Sequence, residues 1–408
     1  MLITFLIFLA VLAVLVLSHE FGHFIVARKS GMKVYEFGFG FPPRVLGIQW
    51  QKNSDGKKKL KLIWGKGKSE NDVALDLLER GSNPAELNQE NGGTIYSFNL
   101  IPLGGFVQIK GENGDEAGSD SFGAQSAWKR AATLAAGVAM NIILAFVLLS
   151  AGFMMGLPQA TDGLPAGVTI KDSRLEIIEV MVGKPAALAG LQSGDIILGL
   201  DNLKNPSVTA MQDYVNSHKD QDILVAIKRG DESLEKKIHP FVYADTGKGG
   251  LGVSLVEVGM VSYPWYKALY YGFMMTGFYL KQIFLSFYFL IVGLFAGNGA
   301  GGALSGPVGI AVMTGQVARL GFSYLLNFMA LLSLNLAVIN ILPIPALDGG
   351  RLLFLLISKI RRKPIAQKYE QMAHGVGFAL LMLMVVVITV KDLGHFKGFF
   401  IDLWNNII

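Results

Sequence analysis

Four stretches of the chain are apolar for long enough to cross a bilayer, and polar, alternating segments separate them. The stretches are Leu2 to Val26, Ala131 to Phe153, Leu325 to Leu347 and Val376 to Val390, the last reaching span length if it begins near Ala373. About 20 apolar residues suffice to cross the hydrocarbon core as a helix. The pattern therefore predicts four transmembrane helices, over 1–30, 127–157, 323–358 and 371–391. A fifth apolar stretch, Ala268 to Phe295, is interrupted by Lys281 and Gln282 and is rich in Tyr and Phe, as at a membrane interface. Residues 264–322 are expected to hold this interfacial or re-entrant segment and a loop.

The polar segments read differently. Within 31–126, runs such as Lys59-Leu60-Lys61-Leu62-Ile63-Trp64 and Thr94-Ile95-Tyr96-Ser97-Phe98 have strand period. Asn99 to Glu112 predicts a turn at Gly104-Gly105 followed by a strand, and Gly111 to Ser121 predicts a loop. The charged part from Gln51 to Gln89 carries no function that the sequence reveals. Residues 165–258 form a separate module whose run Gly183-Lys184-Pro185-Ala186-Ala187-Leu188-Ala189-Gly190-Leu191-Gln192-Ser193-Gly194-Asp195-Ile196-Ile197 resembles the signature of a PDZ domain. There is room for one copy. Residues 392–408 are expected to be an amphipathic tail.

Charge sets the orientation. Lys359, Arg361, Arg362, Lys363 and Lys368 follow the third span, and Arg28 and Lys29 follow the first, so both ends should be cytoplasmic. The second span then runs outward and leaves the module on the extracytoplasmic side. The aromatic stretch, by parity, cannot cross once. Only 16% of residues are charged, against about 25% in soluble proteins, and 51% are hydrophobic. Basic and aromatic residues are not interleaved as in single-strand readers, so nucleic acid is not an expected partner. The chain has no cysteine, so any metal must be held by His, Asp or Glu.

His19-Glu20-Phe21-Gly22-His23 is such a site in outline. On a helix, residues four apart share a face, so both imidazoles can reach one Zn²⁺, with Glu20 beside it as general base. Three ionisable groups at the end of an apolar run are costly in a membrane unless they act. A catalytic zinc needs a third protein ligand at the same depth. His19 lies ~25 Å into its span, near the cytoplasmic side, at ~1.5 Å per residue. Asp348 follows the third apolar stretch and precedes the basic loop, which puts it at that depth. Pro343 and Pro345 break the helix before it, and Gly349 and Gly350 permit close backbone approach. His218, His239, His374 and His395 lie at other depths or in solvent-facing segments and are not expected to ligate.

With these residues in hand, the chain resembles the site-2 protease family of intramembrane zinc metalloproteases, in its bacterial regulator-of-sigma-E (RseP) type. Further matches are Gly38-Phe39-Gly40-Phe41-Pro42-Pro43, Gly104-Gly105-Phe106-Val107, Gly137-x-x-x-Asn141 and Leu304-Ser305-Gly306-Pro307. The resemblance implies a multi-span α-helical membrane protein with a membrane-associated β-hairpin, here with the one PDZ domain that the signature run marks. It implies that His19, His23 and Asp348 bind zinc, that Glu20 is catalytic, and that Asn340 helps hold the substrate. It further implies that a β-hairpin over Gly104 to Lys110, with Gly105, Phe106, Val107, Gln108 and Ile109, pairs with an extended substrate. Pro343 and Pro345 would free backbone groups for the same purpose. The expected partners are the lipid bilayer, single-span membrane substrates such as anti-sigma factors or remnant signal peptides, and a peptide C-terminus at the PDZ domain. The expected place is the bacterial inner membrane. The RseP pattern has two tandem PDZ domains where this chain has one, which weakens any role in excluding bulky substrates. Two other readings stand beside this one: a membrane protease with a cytosolic catalytic domain and a Glu as third ligand, and a non-enzymatic scaffold built on the PDZ module.

Overall fold

A computed structural model describes residues 2–52, 58–64, 92–112, 118–161, 164, 168–181, 183–230, 232–243, 247–295, 306–363 and 365–395. Most of the charged Gln51 to Gln89 segment, Leu304-Ser305 and the tail beyond residue 395 lie outside the described residues. The chain divides into two compact units, Met1–Leu149 with Gly272–Ile408, and Ser150–Tyr271.

The first unit begins with α1 (Leu2–Lys29), then β1 (Val34–Lys52), β2 (Lys58–Trp64), β3 (Gly92–Ile109) and α2 (Ala127–Met155). Helix α1 ends in a glycine cap. Gly31 has φ 84°, its N–H donates to the Arg28 carbonyl at 3.1 Å, and Met32 N–H reaches back to Ala27 at 3.0 Å. Met32 and Ala27 are both buried in one apolar cluster, the hydrophobic contact that accompanies this cap.

The sheet order is β2-β1-β3. Both long strands bend, β1 near Phe41 to Arg44 and β3 between Asn99 and Gly105, so that each pairs with the other more than once. Arg44 to Gln51 runs against Asn99 to Gly92, whereas Val34 to Phe39 pairs with Ile109 to Gly105 on one side and, from Glu36, with Ile95 to Phe98 on the other. The last segment, Gly105 to Ile109, is therefore hydrogen-bonded along one edge only among the described residues. Buried Glu36 binds Arg44 across the bend.

The second unit contains β4 (Leu157–Ala160), β5 (Thr169–Val180), α3 (Pro185–Leu188), β6 (Ile196–Leu200), β7 (Leu203–Lys204), α4 (Val208–Ser217), β8 (Ile223–Arg229), β9 (Glu232–Ile238), β10 (Phe241–Val242), β11 (Gly249–Gly250) and β12 (Val253–Ser262). Its main sheet runs β4-β12-β5-β6-β8-β9 around a core that includes Ile177, Leu200, Met211, Val225 and Ile227. The sheet is wider than the predicted 165–258 module. Leu157–Ala160 pairs with Val258–Val261 and closes the outer edge. Asp195, 1% exposed, pins the signature turn by accepting from Arg229 Nε at 2.7 Å and from the Gln192 N–H at 2.9 Å.

Helices α5 (Trp265–Phe295), α6 (Pro307–Leu320), α7 (Phe322–Ile341), α8 (Asp348–Arg361) and α9 (Gln367–His395) complete the chain. Five helices, α1, α2, α5, α7 and α9, have the length and apolar composition of membrane spans, where the sequence predicted four. The difference is α5, one unbroken helix of 31 residues. Lys281 and Gln282 lower its hydropathy but are exposed and leave its backbone ladder intact. The third span, expected over 323–358 with a break at Pro343 and Pro345, is two helices, α7 and α8, separated over Leu342 to Leu347 where the prolines lack N–H groups. Val11, Leu15 and Met329 form the buried seam between α1 and α7, joined by Leu144 and Leu148 of α2. Much of α1, α5 and α9 stays exposed as apolar surface, as lipid contact requires.

Candidate metal centre

Three side chains from two distant segments meet. His19 and His23 project from one face of α1, and Asp348 is the first residue of α8. His19 Nε2 lies 3.1 Å from His23 Nε2. Asp348 Oδ2 lies 3.1 Å from the first nitrogen and 3.3 Å from the second. These three atoms mark a near-equilateral triangle. Tetrahedral coordination at ~2.0–2.1 Å separates ligand atoms by about 3.3–3.4 Å, so the triangle fits zinc with one position left for water.

The protonation pattern agrees with that fit. His23 Nδ1 is 2.8 Å from the Thr133 carbonyl oxygen, which can only accept, so Nδ1 carries the hydrogen and Nε2 keeps its lone pair toward the triangle. His19 Nδ1 faces the amide of fully buried Asn141 at 3.3 Å. Turned with its oxygen toward the ring, that amide accepts from Nδ1–H and gives Asn141 Oδ1 the partner it otherwise lacks. Asp348 Oδ2 is likewise buried without a hydrogen-bond partner, as suits an atom reserved for a cation.

The backbone explains why these sequences can form the site. A Cβ on Gly137 of α2 would lie 2.4 Å from His23 Nε2 and 2.6 Å from His19 Cε1, so the imidazoles rest directly on bare main chain. A Cβ on Gly22 would meet the Ala136 carbonyl at 2.3 Å, which holds α1 and α2 equally close. On the other side, Cβ atoms on Gly349 and Gly350 would meet the Leu342 and Ile344 carbonyls at 2.1 and 2.3 Å, so α8 folds back tightly under the broken end of α7.

Around the triangle is a cavity of 390 Å³ lined by Glu20, Phe106, Val107, Gln108, Ile109, Glu112, Ala346 and Arg351. Glu20 stands between the histidines and the one-sided strand edge; its Cγ is 3.4 Å from where a Cβ on Gly105 would be. Asn340, Pro343 and Pro345 do not line this cavity. They build the break behind it. Sequence reasoning quoted Gly137 and Asn141 only as a resemblance and missed Glu112, Arg351 and Ala346 altogether. Glu112 and Arg351 form an ion pair at the cavity wall. Arg351, one helical turn after Asp348, was the available signal. The expected loop after Gly111 is anchored where it is described, with Lys110 Nζ on Asp120 at 2.8 Å and Phe122 buried.

Two histidines and a carboxylate around an open position, with a glutamate beside them, have the make-up of a hydrolytic zinc centre. Comparison with known proteins agrees: residues 7–55 and 79–384 match peptidase family M50, and the chain belongs to that family. It is 30% identical to the regulator of sigma-W protease RasP of Bacillus subtilis, over 95% of this chain and 97% of that protein. It is also 30% identical to the zinc metalloprotease RasP of Bacillus licheniformis, with the same coverage. Among solved structures, the PDZ domain of an SdrC-like protein from Listeria monocytogenes is 26% identical at a TM-score of 0.19, covering 20% of this chain and 85% of that one. The chain is thus a membrane zinc metalloprotease of the site-2 type.

Proposed function

We propose that this protease cleaves single-span membrane proteins within or beside their membrane segment, with His19, His23 and Asp348 as the zinc ligands and Glu20 as the catalytic base. The observation that carries this reading is the 3.1–3.3 Å triangle of two imidazole nitrogens and a carboxylate oxygen beside Glu20. Zinc bound there supplies Lewis-acid activation of water and of the scissile carbonyl. Glu20 takes the proton from the attacking water and passes it to the leaving amine.

A substrate helix hides its amides in its own hydrogen bonds and must unwind to be cut. Among the described residues Gly105 to Ile109 offers an unpaired strand edge along the cavity, and strand addition there replaces the lost bonds. Asn340, Pro343 and Pro345 act one layer back in this reading, by shaping the break that delivers Asp348.

The metal centre lies near the cytoplasmic face, because Arg28 and Lys29 end α1 and Lys359 and Arg361 end α8. Asp392, which binds the Gly306 and Gly309 N–H groups at the start of α6, is about 27 Å along α9 from His374 at ~1.5 Å per residue. The start of α6 therefore belongs to the far side, and α5, which leads to it, stays on that side rather than crossing once. The PDZ module is then extracytoplasmic in the inner membrane. A 680 Å³ groove between α4 and residues 249–255 gives a peptide C-terminus a place to add beside β12. Anti-sigma factors and remnant signal peptides are the substrate class we favour.

Glu20→Gln provides the test. The variant is expected to keep its zinc while cleavage of a reconstituted single-span substrate falls by about 10²–10⁴-fold. Wild-type turnover by that variant would remove Glu20 from the mechanism.

A further inference from the structure

We infer that His374, on α9, is a positioning residue for the metal centre: it holds the turn that presents Asp348. The inference rests on the reading of Asp348 as a zinc ligand.

Between α7 and α8 the chain has few backbone donors to spend. Pro343 and Pro345 have none. Ile344 N–H donates to Leu342 at 2.7 Å and Leu347 N–H to Ile344 at 3.2 Å, both within the turn. Ala346 is the exception. Its N–H leaves the turn and donates to His374 Nδ1 at 2.7 Å. Ala346 also has φ 81°, a left-handed conformation unfavourable for a residue with a Cβ, so something outside the residue must maintain it. It lines the metal cavity and stands two residues before Asp348.

His374 is itself fixed. The Phe354 ring of α8 lies 5.4 Å from its centroid. One turn further along α9, a Cβ on Gly377 would meet the Pro345 carbonyl oxygen at 2.5 Å, so the helix backbone is pressed against the turn. Because Nδ1 accepts, the ring hydrogen sits on Nε2, which is buried with no hydrogen-bond partner among the described residues, and the residue also borders a second cavity of 250 Å³ lined by Arg130, Arg351 and Gln371. The imidazole therefore acts as an acceptor on a rigid mount, at a distance from the metal. Its role is geometric.

Two substitutions separate this role from packing. His374→Asn keeps an oxygen where Nδ1 was, and His374→Leu keeps the volume but offers no acceptor. In full-length protein in detergent, zinc loss to a chelator is expected to be about tenfold faster for His374→Leu, with kcat lowered and KM within about twofold. His374→Asn is expected to restore both to within about threefold of wild type. Normal zinc retention by His374→Leu, or equal failure of both variants, would overturn the inference. Asp348→Ala serves as the reference. If it keeps full zinc, the ligand assignment itself fails; if it loses zinc while His374→Leu does not, only the role of His374 falls.

Discussion

Gly137→Ala adds one methyl group where the structure has no space for it. The new Cβ would stand 2.4 Å from His23 Nε2, 2.6 Å from His19 Cε1 and 2.7 Å from His19 Nε2. Ordinary contact begins at about 3.5 Å, so the rings or the helices must part by about 1 Å. Overpacking of this kind costs typically ~1–3 kcal/mol, which a protein of this size can survive folded. The metal centre is less tolerant, since ligand distances must hold to within about 0.2 Å. The expected phenotype is therefore a folded protein with little zinc and little turnover. Metal content per chain by elemental analysis, beside a thermal unfolding curve, reads both. Gly277→Ala on α5 is the control: nothing lies within 4 Å of its added Cβ, and it should leave zinc unchanged. Full zinc occupancy and normal cleavage by Gly137→Ala would refute the claim that the imidazoles rest on the α2 backbone.

Two further outcomes are expected, one at the fold-back of α8 and one in the second unit. In Gly349→Ala the new methyl would meet the Leu342 carbonyl at 2.1 Å and the Ile341 carbonyl at 2.3 Å, main-chain atoms that cannot swing aside; zinc content and melting temperature should fall together, and loss of neither would contradict the fold-back of α8. In the second unit, burial favours the neutral form of Asp195, but Arg229 and the Gln192 N–H outweigh it and hold the carboxyl below the usual carboxylate range. The unfolded chain then binds that proton more readily than the folded one. The contribution is complete above the ordinary value of ~3.9 and is lost as pH falls below it. Limited proteolysis of this unit in the full chain should accelerate on acidification, and Asp195→Asn should flatten the dependence.

Much of the centre was legible in the sequence because its parts are rare in their setting. His19, Glu20 and His23 are costly inside a membrane, and only Asp348 combined a ligating group, the matching depth and a broken helix before it. The supporting partners were not legible in the same way. His23 is oriented by the carbonyl of Thr133, and any residue has a carbonyl. Depth excludes His374 as a ligand, but that criterion is blind to a residue acting through Ala346. The sheet was legible as alternating strands, yet the pairing of Val34 to Phe39 on both sides depends on bends in β1 and β3 that period-2 patterning does not register. In α5 the apolar stretch was legible but its continuity as one helix was not. Lys281 and Gln282 interrupt hydropathy, which is a property of side chains, while helix continuity belongs to the backbone.

The bare contact between α1 and α2 at Gly22 and Gly137 has one more consequence. With no side chain between the two main chains, there is no cushion to absorb a change in their crossing angle. A thicker or thinner hydrocarbon layer, which spanning helices meet by tilting, would pass straight to the spacing of the imidazoles. Cleavage measured in bilayers of differing chain length is expected to vary with that spacing, and equal rates across them would contradict it.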